Sequence, residues 1–198
     1  MSKEIAIHWF RQDLRIKDNP SLEAASRCDS YIPIYILDDT NAGEFKMGSA
    51  SRWWLYHSLN NLDESLDGNL RFYKGDPNEI IQRLVKEFSI SKIFWNRCYE
   101  PWRIDRDKEI KHELETSNIS VESFCGSLLW EPWNISKDDG TPYRVFTPYY
   151  KKGCLNSDDP RLPVGEPNLS NLISKETDTE GLESLDLLPK SNWYGGFE

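Results

Sequence analysis

The chain has 198 residues, 38% of them hydrophobic and 13% aromatic against 29% charged, which supplies a packed core and excludes wholesale disorder. That length fits one full domain with a tail or linker and excludes a large two-domain enzyme. Lys plus Arg total 24 against 33 Asp plus Glu, a net charge of −9, the wrong sign for a surface that neutralises many phosphates.

Ile5 to Phe10 reads as a short apolar strand, followed by a charged loop from Arg11 to Lys17. Asn19-Pro20 is then a cap and proline at a helix start. Tyr31 to Leu37 repeats the strand signal, with Pro33 expected near its beginning because proline cannot donate to a central ladder. Leu55, Leu59, Leu62 and Leu66 recur at helical spacing and predict a buried helix face from Ser49 to Leu66. Leu70 to Tyr73 is a third strand. Asp76-Pro77 opens a helix striped by Ile81, Leu84, Val85 and Phe88. Ile93 to Trp95 is a fourth strand, Pro101 starts a charged helix with Ile110 and Leu114 facing inward, and Val121 to Phe124 is a fifth strand. Short apolar strands alternating with amphipathic helices build right-handed crossovers, hence a doubly wound α/β fold with a five-stranded parallel sheet.

After about Trp133 the pattern stops, apart from a short helix expected within Thr147 to Lys152. The domain is therefore placed at 1–133 and an irregular linker at 134–198. Residues 157–198 carry nine acids and three bases. The end, Trp193-Tyr194-Gly195-Gly196-Phe197, is aromatic where a free terminus is usually polar. The expectation is a chain cut before a further domain, the alternative a tail that folds back. Cys28, Cys98, Cys125 and Cys154 form no CxxC pair, the start has no signal-peptide pattern, and no apolar run approaches a membrane span. A reduced, cytoplasmic setting with no membrane partner follows.

An open parallel sheet binds ligands at the carboxyl ends of its strands, where the crossovers diverge to opposite faces. A strand order of 3-2-1-4-5 would put that crevice between the first and fourth strands, bringing Arg11 and Arg15 near Asn96 and Arg97. These arginines either meet a ligand or pair with Asp13, Asp38 and Glu100. Arg52 sits in the first turn of its helix, where a cation opposes the helix dipole and needs an anion nearby. Asp38 or Asp39 could be that partner, or a ligand phosphate or carboxylate bound at the N–H groups of Gly48 to Ser51. The segments at Trp9, Trp53-Trp54, Trp95 and Trp102 offer either a flat face for a planar heterocycle or plain core. GxGxxG, GxxxxGK[ST] and GxSxG are absent, and His8, His57 and His112 have no metal-ligand spacing. Metal and hydrolytic sites are unsupported.

His8-Trp9-Phe10-Arg11-Gln12-Asp13-Leu14-Arg15 with Asp18-Asn19-Pro20-Ser21-Leu22 resembles the opening signature of the DNA photolyase and cryptochrome family. Gly48-Ser49-Ala50-Ser51-Arg52-Trp53-Trp54-Leu55 resembles its second motif, and Trp95-Asn96-Arg97-Cys98-Tyr99-Glu100-Pro101 with Arg106-Asp107 its third. Gly140-Thr141-Pro142-Tyr143-Arg144-Val145-Phe146-Thr147-Pro148 with Lys151 resembles the stretch leading out of the first domain.

The resemblance implies a Rossmann-like amino-terminal domain that holds a light-harvesting antenna: FMN, 8-hydroxydeazaflavin or folate. FAD would lie in a carboxy-terminal helical domain, through which alone damaged DNA is met, and the full-length activity would be that of a deoxyribodipyrimidine photo-lyase. No catalytic residue transfers to this chain. Family members that bind folate often place an Asn-Glu pair where this sequence has Trp102-Arg103, which puts that folate mode in doubt. A flavin-like antenna lined by Arg11, Asp38, Ser49, Arg52, Asn96, Arg97 and Glu100 suits the crevice better. The alternatives are a cryptochrome signalling protein and a free-standing flavin- or nucleotide-binding module. Without the helical domain an exposed apolar face should give weak self-association.

Overall fold

A computed structural model describes residues 3–176 and 180–196. Five strands and four helices alternate: β1 (Ile5–Phe10), α1 (Pro20–Ser26), β2 (Ser30–Leu37), α2 (Ser49–Ser65), β3 (Arg71–Lys74), α3 (Pro77–Phe88), β4 (Lys92–Asn96), α4 (Pro101–Thr116) and β5 (Ser120–Phe124). All neighbours pair parallel, in the order β3-β2-β1-β4-β5. The first two crossovers run from β1 outward to β3, and the chain then returns to β4 on the other side of β1. The switch point therefore lies between β1 and β4, as the sequence reading placed it.

Strand side chains alternate between faces, and the two cores follow that alternation. Ile7, Trp9, Ile32, Ile34, Ile93 and Trp95 pack against Ile81 and Leu84 of α3 and Ile110 and Leu114 of α4. Ala6, Phe10, Tyr31, Tyr35 and Phe94 pack against Leu22 and Ala25 of α1 and Leu55, Leu59 and Leu62 of α2. Each fully buried side chain of this size contributes about 1.5–3 kcal/mol by leaving water. No helix among the described residues is long and apolar enough to cross a membrane.

The helices start in two ways. Asn19 caps α1 by accepting from Leu22 N at 3.2 Å, and Asp76 caps α3 by accepting from Asn78 N and Glu79 N at 2.8 and 3.2 Å. Each is followed by Pro, which needs no N–H at that position. By contrast α2 begins at Gly48 and α4 at Glu100 with no side-chain cap and no acid in the first turn.

One expectation needs correction, and a second is met in a less regular form. Pro33 is the fourth of eight residues of β2 and not near its beginning. Tyr31 O accepts from Ile173 N and Leu37 O from Gly75 N, so alternate residues of β2, Pro33 among them, face the β3 side. Pairing with β3 starts only at Ile34, which leaves the missing N–H of Pro33 without a ladder partner to lose. The expected short helix is one irregular helical run: Phe146–Pro148 widens to a π turn at Tyr149–Gly153 and tightens to 3-10 geometry at Cys154–Asn156.

Beyond Asn156 the chain is irregular yet closely docked. Asn171 Nδ2 donates to Ser26 O and Cys28 O, Arg71 Nη2 donates to Ser174 O, and Leu182, Leu185 and Leu187 are buried in the core beside α2. Trp193 and Tyr194 lie 6.4 and 5.7 Å from Trp53 between ring centroids. Phe197 of the aromatic end lies outside the described residues. The docked leucines are too few for a readable period, so the sequence shows the irregularity of this segment and not its anchoring.

Candidate functional site

A cleft of about 490 Å³ opens at the carboxyl ends of β1 and β2, between the starts of α2 and α4. This volume is in the range of small-molecule sites. Trp9, Arg11, Gln12 and Arg15 enter it from β1 and its loop, Tyr35 to Asp39 from β2, Ser51 and Trp54 from α2, and Trp102, Arg103 and Arg106 from α4. Phe45 and Trp54, 67% and 69% exposed, place flat apolar faces at the mouth.

The cleft floor is a ladder of buried charges. Arg106 Nη1 donates to Asp38 at 2.8 Å, and its Nε and Nη2 donate to Asp107 Oδ1 at 3.1 and 2.8 Å. Asp107 also accepts from Arg11, whose Nε donates to Asn96 O at 3.1 Å. The guanidinium carbon of Arg106 lies 5.0 Å from the Trp9 ring and 5.2 Å from Trp102, held between two indole faces. Burial works against its charge, but Asp107 and Asp38 outweigh that and hold Arg106 above its ordinary range. Burial also pushes the Tyr35 phenol up, so Tyr35 meets the cleft neutral.

Behind the ladder is a buried polar network. Asn96 Nδ2 donates to Asp13 Oδ2 at 2.6 Å and to Asn19 Oδ1 at 2.7 Å, and His8 Nε2 lies 2.8 Å from Ser21 Oγ. A Cβ at Gly126 would collide with Asn96, so that loop must be glycine to pass. Burial lowers the His8 pKa to about 4, and the ring is neutral near pH 7.

Of the residues expected to line the crevice, Arg11 and Asp38 are in the cleft wall. Arg52 donates through Nη2 to both carboxylate oxygens of Asp39 at 2.8 Å and through Nε to Met47 O at 3.0 Å, so an aspartate meets its charge. Ser49 is outside the lining, and Ser51, half a turn on, is the α2 serine that faces the cleft. Asn96 belongs to the buried network. Arg97 turns to the other side, donating to Glu131 at 2.8 Å beneath Trp133. Glu100 is at the rim, accepting from Gln12 at 2.6 Å. Arg97 departs from Asn96 because adjacent strand residues face opposite sides of the sheet. Trp9 and Trp95 are core, in edge contact at 5.7 Å.

Arg106, Asp107, Arg103, Trp102 and Trp54 carry the site more than that set did. A signal for the first two existed in the Arg-Asp pair of the third motif. Trp9 Nε1 and Arg103 Nε are buried without a hydrogen-bond partner among the described residues. Two spare donors, four arginines against two aspartates in the lining and aromatic faces at the mouth suit a planar ring that carries acceptors and negative charge.

A family model for DNA photolyase matches residues 6–168. The chain belongs to the DNA photolyase family. This photolyase-family chain is 37% identical over 196 residues to the deoxyribodipyrimidine photo-lyase of Agrobacterium fabrum, covering 96% of this chain and 40% of that protein. It is 36% identical over 177 residues to cryptochrome-1 of Arabidopsis thaliana, covering 86% of this chain and 26% of the relative. A bacterial class III photolyase crystal structure from Agrobacterium tumefaciens matches with a TM-score of 0.85 and 34% identity, over 97% of this chain and 40% of that one. The chain thus spans about 40% of the length of its photolyase relatives and has the fold of their amino-terminal α/β domain.

Proposed function

We propose that this chain is the amino-terminal, antenna-bearing part of a light-driven DNA-repair photolyase acting in the cytoplasm. The observation that carries the reading is the cleft at the strand ends, with a floor fixed by buried ion pairs, more arginines than aspartates in its lining and open aromatic faces at its mouth. Such a site fits a flavin, an 8-hydroxydeazaflavin or a folate, which when bound supplies light absorption. The chain's own residues orient the ring and exclude water: Trp54 and Phe45 cover its face, and the Arg106 ladder keeps the floor rigid. FAD would be held by a carboxy-terminal helical domain, which would also meet the damaged DNA and split the cyclobutane dimer. The exposed Leu129, Trp133, Val145 and Phe146 are the apolar face offered to that domain, and without it they favour weak self-association.

The test is to mix the purified chain with FMN, 8-hydroxydeazaflavin and a reduced folate at tens of micromolar and record fluorescence. Quenching or a spectral shift with one of the three is expected, and silence from all three removes the antenna reading. A second reading, the same domain of a cryptochrome, is favoured by the 36% identity to the Arabidopsis protein. Dimer repair in light by a polypeptide that includes the helical part separates the two. The net charge of −9 further leads us to expect no salt-sensitive affinity of this chain for ultraviolet-damaged DNA.

A further inference from the structure

We infer that Arg103, at the start of α4, receives an anionic group, a phosphate or a carboxylate, of the ligand that enters the cleft. The inference rests on the antenna reading above and adds which residue selects the ligand and by what chemistry.

Five arginines surround the cleft, and three make close ion pairs with hydrogen-bonded aspartates. Arg11 faces Asp107 and Asn96 O, Arg106 faces Asp38 and Asp107, and Arg52 faces Asp39. Those three aspartates are thereby engaged and do not compete for the remaining cations. Arg15 gives its Nε and one terminal nitrogen to the carbonyls of Lys17, Asp18 and Gly126. Arg103 is different. Its Nε makes no hydrogen bond among the described residues, its ion pair with Glu100 Oε2 is loose at 3.7 Å, and its one terminal hydrogen bond is to Cys98 Sγ at 3.6 Å. The Trp102 face, 4.8 Å from its guanidinium carbon, holds the group in place. A guanidinium so positioned is ready for a planar, bidentate acceptor.

The backbone reinforces the same sign. Arg103 lies in the first turn of α4, where a cation opposes the helix dipole unless an anion is near. The N-cap residue Glu100 is the one acid at this start and stays 3.7 Å from Arg103, while the first turn itself contains no acid and its N–H groups have no side-chain cap. The start of α2, across the cleft at Ser51, is alike in both respects. Two helix starts and a guanidinium with an open donor therefore converge on one hollow of an acidic chain.

The experiment pairs probes that share a ring and differ in charge: FMN against riboflavin, and 5-formyltetrahydrofolate against the pterin ring lacking the glutamate. Affinities for the 198-residue chain and for Arg103→Gln are measured by fluorescence titration. The expected result is a preference of about ten-fold or more for the charged member of one pair. Arg103→Gln abolishes that preference by weakening the charged member more than the neutral one, and Arg103→Lys keeps part of it. Preference within the flavin pair assigns phosphate, and within the pterin pair carboxylate. Should Arg103→Gln fail to fold, salt serves instead: raising it from about 50 to about 500 mM weakens the charged probe and spares the neutral one. Equal affinity within both pairs, or an equal loss for charged and neutral probes in the variant, overturns the role of Arg103 and leaves the antenna reading standing. If no ring binds the unaltered chain, both fall together.

Discussion

Helices α1 and α3 begin with their free N–H groups closed by Asn19 and Asp76, while α2 and α4 begin open at Gly48 and Glu100. The closed starts stabilise their helices, since a side-chain oxygen in place of water satisfies the first N–H groups. The open starts flank the cleft, where unmatched donors have a use. What differs is local sequence: all four starts lie at the carboxyl end of the sheet, and only the two uncapped ones line the cleft.

The harshest test of this contrast removes the ladder between the open starts. Arg106→Met leaves Asp38, 5% exposed, with no cation and only Asn41 as donor, and leaves Asp107, 12% exposed, with Arg11 alone, and should cost about 3 kcal/mol in urea denaturation. A loss below about 1 kcal/mol would mean the ladder is not the rigid floor described. Next, Asn19→Ala removes a cap and also the partners of Asp13, Ser21 and Asn96, for an expected cost of about 3 kcal/mol. Asp76→Ala, a cap outside that buried network, should cost about 1 kcal/mol, and equal losses for the two would erase the distinction between them.

Acid should act on the network under α1. Folded His8 titrates near pH 4 and unfolded histidine near 6.5, so the unfolded chain takes up its proton first. The stability is whole above pH 6.5 and is lost as pH falls toward 4, by up to about 3 kcal/mol. Denaturation midpoints at several pH values should fall less steeply across that window in His8→Gln, and identical slopes would exclude His8 as the cause. The smallest effect is the most discriminating. A Cβ at Gly48 meets nothing within 4 Å, so Gly48→Asp installs a cap on α2 without strain. It should raise stability by about 0.5 kcal/mol and weaken the anionic probe several-fold. A gain in stability with unchanged binding would separate the open helix start from ligand capture.

Much of this was legible beforehand because the signals are local. Asn19-Pro20, Asp76-Pro77 and Pro101 mark helix starts that the structure keeps within a residue. Pro33 misled because its tolerance depends on where a neighbouring strand begins, a fact outside its own segment. Arg97 misled for a related reason: its partner Glu131 lies in a loop 34 residues on and on the opposite side of the sheet from the Asn96 network. The anchoring of Leu182, Leu185 and Leu187 was hidden because three leucines in an irregular segment carry no period.

By itself the sequence determined the strands, the helices, their alternation and hence the parallel, doubly wound sheet, since hydrophobic period and capping act over a few residues. Only the tertiary structure decided which charges meet. Arg106 reaches Asp38 across 68 positions and Arg11 reaches Asp107 across 96. Ion pairing depends on distance in space and on burial, and those follow from packing. The same packing left Arg103 with an open donor while it closed its neighbours.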